Sequence, residues 1–94
     1  MLTPVHWQLV VHGRVQGVFY RARVAEAAHR YAVAGSVENR PDGKVFIDVQ
    51  GPREMVEAFL SDVSGPRGLS DARRLERVAE LPVSSELRGF EIRR

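Results

Sequence analysis

Arg40-Pro41-Asp42-Gly43 reverses the chain near its middle. Proline fixes one φ and glycine accepts a positive one, so this short run suffices for a turn. Beyond it, Lys44 to Gln50 alternates strictly, with Val45, Ile47 and Val49 on one face. Before it, Val33-Ala34-Gly35-Ser36-Val37-Glu38-Asn39 reads as a strand weakened by one glycine. The two strands make a hairpin, and every other element must be arranged around it.

Each arm of the hairpin leads to a helix. Upstream, from about Phe19, the residues Tyr20, Val24, Ala27 and Tyr31 fall at helical spacing, with Arg23, Glu26 and Arg30 on the opposite face. Glu26 precedes Arg30 by four, the favourable orientation for a helical ion pair. Downstream, Gly51-Pro52 opens a second helix at a position where the missing N–H costs little. Met55, Val56, Phe59, Leu60 and Val63 form its expected buried stripe, and Gly65-Pro66 stops it. Outside the helices, Trp7, Leu9 and Val11 alternate with Gln8, Val10 and His12 as a strand, and Phe90 and Ile92 belong to a short last strand.

The stretch 72–81 reads two ways. Ser70-Asp71 suits a helix cap, and Leu75, Val78 and Ala79 fit helical spacing. The sheet, however, needs a partner on the far side of the first strand. A strand is expected here, with a bulge because Leu75 and Val78 have opposite parity. The resulting class is α+β, the ferredoxin-like or split βαβ order (βαββαβ). It predicts an antiparallel sheet with two helices on one face and a short extra C-terminal strand. That fold hosts enzymes, RNA binders and regulatory modules, so it does not settle function.

At 94 residues the chain is expected to form a single domain over 1–94. With no cysteine, disulfides, thiolate metal sites and thiol nucleophiles are excluded. Met1 to His6 lacks a signal-peptide pattern, and no run is long enough to span a membrane, so a cytoplasmic protein without membrane contact is expected. A net charge of +2 permits anionic partners without arguing for nucleic acid.

The chemistry gathers in Gly13-Arg14-Val15-Gln16-Gly17-Val18-Phe19-Tyr20-Arg21. A strand enters a glycine-bracketed loop, and the loop enters a helix with an arginine in its first turn. Loop amides and a helix N-terminus converge on a tetrahedral anion, and Arg21 adds a permanently charged fork suited to phosphate. A merely solvated arginine there would oppose the helix dipole. Asn39 taken alone is a turn-initiating residue. His6, His12 and His29 show no ligand spacing, Trp7 suits the core, and Arg67, Arg73, Arg74 and Arg77 read as a solvated basic face.

The run from Val11 to Arg21 resembles the first signature of the acylphosphatases. Gly35-Ser36-Val37-Glu38-Asn39, followed by Gly43, Val45 and Gly51, resembles their second. The similarity covers nearly the whole chain. It implies hydrolysis of the carboxyl-phosphate bond of a small acyl phosphate to carboxylate and inorganic phosphate. By the same resemblance, the amides of Val15, Gln16, Gly17, Val18, Phe19 and Tyr20 hold the phosphoryl group together with Arg21. Asn39 orients the attacking water. Tyr20 stands where phenylalanine is usual, Ser36 where an aromatic is usual, and Glu38 where a basic or neutral residue is usual. Glu38 is expected on the solvated face, opposite Asn39.

The assignment suits the leaving group. A carboxylate whose conjugate acid has a pKa of roughly 4 needs no general acid. Positioning and charge stabilisation then suffice, so no metal and no cofactor are expected. The partner is the small-molecule substrate, with no nucleic acid, and the chain is expected to be a monomer. Two alternatives keep the fold: a module binding RNA or a regulatory anion, and a relative of acylphosphatase-like domains in carbamoyl-transfer proteins. For RNA, the outward series Lys44, Phe46, Asp48, Gln50 offers one aromatic beside an aspartate, a poor stacking platform.

Overall fold

The structure, a computed structural model, describes residues 3–14, 18–64 and 71–93. Among them the elements run β1 (Pro4–Arg14), α1 (Val18–Arg30), β2 (Ala34–Asn39), β3 (Val45–Pro52), α2 (Arg53–Ser64), β4 (Asp71–Leu81) and β5 (Phe90–Arg93). They build a five-stranded sheet in the order β4-β1-β3-β2-β5. The first four strands pair antiparallel. β5 joins β2 in parallel, so the sheet is mixed rather than wholly antiparallel. The helix stop at Gly65-Pro66 and the cap at Ser70 lie outside the described residues.

β4 is a strand, and it carries the bulge that residue parity requires. Gln8 faces Ala79 and Leu9 faces Arg77, so Val78 is the extra residue. A second shift between His12 and Gly13 skips Arg73. Tertiary pairing with β1 overrides the local helical spacing, because β1 otherwise has an open edge.

Both helices cover one face. Val5, Trp7, Leu9 and Val11 of β1, with Val45, Ile47 and Val49 of β3, meet Tyr20, Val24, Ala27 and Ala28 of α1. Val56, Phe59, Leu60 and Val63 of α2 close the core, and Phe59 meets Phe90 edge to face at 5.8 Å. Met55 departs from the expected stripe and is 37% exposed. Arg30 reaches Asp62 of α2 at 3.0 Å, tying the helices together, rather than turning back to Glu26. Pro52 ends β3 opposite Pro4, and the Arg53 N–H donates to the Thr3 carbonyl, so α2 starts one residue later than its proline suggests.

At the turn, the Arg40 N–H donates to the Lys44 carbonyl, the Gly43 N–H donates to the Arg40 carbonyl, and Gly43 has φ 90°. The Asp42 carboxylate accepts the Lys44 N–H, which holds its pKa below the usual carboxylate value.

Gly35 is required by space as well as by backbone angle. At φ +141° a Cβ would sit 1.7 Å from the Asp48 carbonyl oxygen, an immovable backbone atom. Gly35→Ala is therefore expected to destabilise the chain by about 3 kcal/mol or more. The melting temperature should fall by roughly 15 °C or more for a domain of this size, read by circular dichroism. An unchanged melting curve would show that β2 does not approach β3 this closely.

The other sheet face is partly covered by residues 82–88. His6, whose spacing suggests a strand or surface residue, is buried there. Its Nε2 donates to Asp48 Oδ1 at 2.9 Å and its Nδ1 to the Pro82 carbonyl at 3.1 Å. Gln8 donates to the same Asp48 oxygen. Gln50 exchanges two hydrogen bonds with the Ser84 main chain.

Candidate active site

One end of the sheet collects the candidate residues. β1 ends there at Arg14, β2 at Asn39 and β5 at Arg93, and β3 begins there at Val45. The last pairings are Val11 with Val45 and Val45 with Asn39. α1 starts at Val18, a few residues beyond the end of β1. Val15, Gln16 and Gly17 lie outside the described residues. The first N–H groups of α1, those of Val18, Phe19 and Tyr20, have no intrahelical carbonyl to receive them, and no acidic residue occupies that first turn. The helix therefore presents donors and its positive dipole end at this end of the sheet.

Arg21 stands one position after Tyr20 and is only 8% exposed. Its Nη1 donates to the Arg93 carbonyl at 3.0 Å. Its Nε has no partner, and among the described residues no carboxylate pairs with the guanidinium. A buried cation left without a counter-charge is costly, by several kcal/mol even after relaxation. An anion entering beside it removes that cost.

Arg93 also fixes where Asn39 stands relative to Arg21. Glu38 is paired with Arg93, and Asn39 follows Glu38 directly. Alternation puts Asn39 on the helix side of the sheet with Val37, which is fully buried. Its Oδ1 is buried and has no hydrogen-bond donor. Such an acceptor is rare in a native interior and calls for a donor such as water. Thus a guanidinium with no carboxylate partner among the described residues, a helix N-terminus and an orphan carbonyl oxygen share one end of the fold.

The three unusual residues each have a place. Tyr20 is buried, and its hydroxyl donates to the Val63 carbonyl in the last turn of α2, an orphan group of that helix. Burial also pushes the phenol pKa up, so it stays a neutral donor. Ser36 is 4% exposed and pairs with Asp48 of β3 and Glu91 of β5. Glu38 points away from Asn39 onto the other face, but it is half-buried beside Phe46 rather than fully solvated.

Two contacts carry little or no signal in the sequence. The Arg93 carbonyl that holds Arg21 is a main-chain atom and leaves no residue signature. Arg77 is not simply solvated, since its guanidinium lies 4.5 Å from the Trp7 ring centre, with Arg53 over the same ring at 5.3 Å. Trp7 itself is in the core as expected. Among the described residues no helix is long and apolar enough to cross a membrane.

Known proteins share this fold and much of this sequence. The family model for acylphosphatase matches residues 7–92. An acylphosphatase from Oceanobacillus iheyensis is 39% identical over 89 residues, covering 94% of this chain and 97% of its own length. One from Cupriavidus metallidurans is 54% identical over 57 residues, 61% of this chain and 60% of its own. A solved acylphosphatase from Bacillus subtilis superposes with a TM-score of 0.76 at 28% identity, covering 96% of this chain and 99% of that one. The chain belongs to the acylphosphatase family, hydrolases acting on acyl phosphates.

Proposed function

We propose that the phosphoryl group of an acyl phosphate sits at this end of the sheet, held by Arg21 and the amides of Val15 to Tyr20, and that Asn39 orients the attacking water. The observation that carries this reading is that Arg21, buried and with no carboxylate partner among the described residues, shares one end of the sheet with the donor-less Asn39 Oδ1. The cation calls for an anion, and the oxygen calls for a donor.

The reaction balances without further groups. Water donates one hydrogen to Asn39 Oδ1, which turns a lone pair towards phosphorus. The new O–P bond forms as the opposite P–O bond breaks, and the carboxylate leaves with that electron pair. The proton of the attacking water passes to a phosphate oxygen. The departing carboxylate is stable as an anion at neutral pH, so no side chain has to protonate it. Arg21 and the helix amides stabilise charge on the equatorial oxygens, where a loose transition state spreads it. An unactivated phosphate ester would need an acid this arrangement lacks among the described residues.

The chain is further proposed to work as a single domain, as a monomer in the cytoplasm, without metal or cofactor. Supporting a role apart from nucleic acid, Asp48 and Gln50 are already engaged with His6, Gln8 and Ser84, and Arg40 lies over Phe46. Purified protein should accelerate loss of benzoyl phosphate, followed by ultraviolet absorbance, equally with and without EDTA. Loss at the spontaneous rate would overturn the hydrolytic reading, and loss that EDTA stops would overturn the metal-free mechanism.

A further inference from the structure

A carboxylate without an ionic partner stands beside the candidate site. Glu38 is half-buried in β2, paired with Phe46 of β3 on one side and with Arg93 of β5 on the other. Two cations border it in this register. The Arg93 guanidinium meets Glu91 at 3.1 Å, and the Arg40 guanidinium lies 4.1 Å from the Phe46 ring centre. Among the described residues no cation forms an ion pair with Glu38. A fully exposed carboxylate would be screened by water and salt, whereas a half-buried one keeps more of its field.

The same register ties Glu38 to both candidate residues. Its main chain lies about 3.8 Å from that of Asn39 along the strand and about 4.8 Å from that of Arg93 across it. The Arg93 carbonyl accepts the hydrogen bond from Arg21. The Glu38 side chain points to the face opposite Asn39, so it does not touch a ligand held by these residues. Its charge acts through the sheet, a medium of lower dielectric constant than water. At separations on the order of 10 Å, one unit charge changes the affinity for another by roughly tenfold before salt screens it.

Every acyl phosphate brings the same phosphoryl charge to Arg21. What differs between substrates is the acyl group, which is bonded to the phosphoryl group and so stays near it. A carboxylate on that group meets the field of Glu38 as a further like charge, and an uncharged chain of the same length does not. We propose that Glu38 sets the charge specificity of the enzyme: it disfavours acyl phosphates whose acyl group bears a carboxylate and spares those whose acyl group is uncharged. The assignment rests on the hydrolytic reading and adds the substrate class to it. Glu38 determines specificity without taking part in the chemistry.

The test compares butyryl phosphate with succinyl phosphate, which share a four-carbon acyl chain and differ in a terminal methyl against a terminal carboxylate. The ratio of kcat/KM for butyryl to that for succinyl phosphate is measured at low salt in the unaltered chain, in Glu38→Gln and in Glu38→Lys. It should fall by roughly three- to fivefold in Glu38→Gln and further in Glu38→Lys, mostly through KM for succinyl phosphate. Glutamine matches glutamate in shape, so Glu38→Gln changes the charge without repacking the strand. In about 0.5 M sodium chloride the difference between the three chains should shrink towards unity. An unchanged ratio, or a change that salt does not diminish, would overturn the role of Glu38 while leaving the hydrolase intact. Turnover of neither substrate by the unaltered chain would overturn the hydrolytic reading, and the charge specificity with it.

Discussion

Arg21→Ala should abolish turnover and inhibition by inorganic phosphate together. An arginine that stabilises phosphoryl transfer contributes about 10³–10⁵ in rate, and that is the expected loss in kcat/KM. Arg21→Lys restores a charge but not the planar fork, which in the proposed site reaches the Arg93 carbonyl and the phosphoryl oxygens at once. It should recover only a small part of the activity. Stability should behave differently. Removing a buried cation that no carboxylate pairs with among the described residues relieves its desolvation as it loses one hydrogen bond. The melting temperature of Arg21→Ala should therefore stay within about 5 °C of the unaltered chain, the equivalent of roughly 1 kcal/mol. Steady-state kinetics, phosphate inhibition and a thermal melt on one preparation check all three statements. Retained phosphate inhibition in Arg21→Ala would show that the guanidinium does not bind the anion.

Asn39→Ala separates binding from chemistry. In the proposed mechanism Asn39 contributes an oxygen that accepts from water, not a charge that binds phosphate. Loss of a group that positions a proton-bearing reactant costs about 10²–10⁴ in kcat. The inhibition constant of phosphate should remain within about twofold, because that ligand does not use the water site. Asn39→Asp keeps the acceptor but brings a negative charge towards an anionic substrate, so KM should rise as well. If Asn39→Ala weakened phosphate binding as strongly as Arg21→Ala, the division of labour between the two residues would be wrong.

Much of the fold is legible in the sequence because local chemistry dictates it. Arg40-Pro41-Asp42-Gly43 can only be a turn, and the opposite parity of Leu75 and Val78 by itself requires the bulge in β4. Arg21 and Asn39 are legible as a pair through two long motifs, although neither residue alone decides its role. What is not legible depends on distant partners. His6 finds Asp48 across 42 positions, and no spacing rule connects them. Gly35 reads as a weakness of β2, yet it admits the Asp48 carbonyl that any side chain would strike. Pro52 suits the first residue of α2 by its own propensity, but pairing with Pro4 keeps it in the sheet. The direction of β5 is equally hidden, since a short alternating strand reads the same whether it pairs parallel or antiparallel.

The hydrogen bond from Arg21 to Arg93 spans 72 positions of sequence. The bond can exist only once β5 has docked beside β2, a non-local pairing expected to follow the local hairpin and helices. During refolding from denaturant, enzymatic activity would then return only with the final kinetic phase, after the helical signal has largely recovered. On the proposed role of Arg21, activity would thus report completed assembly, and a molecule with only the hairpin and α1 in place would be catalytically silent.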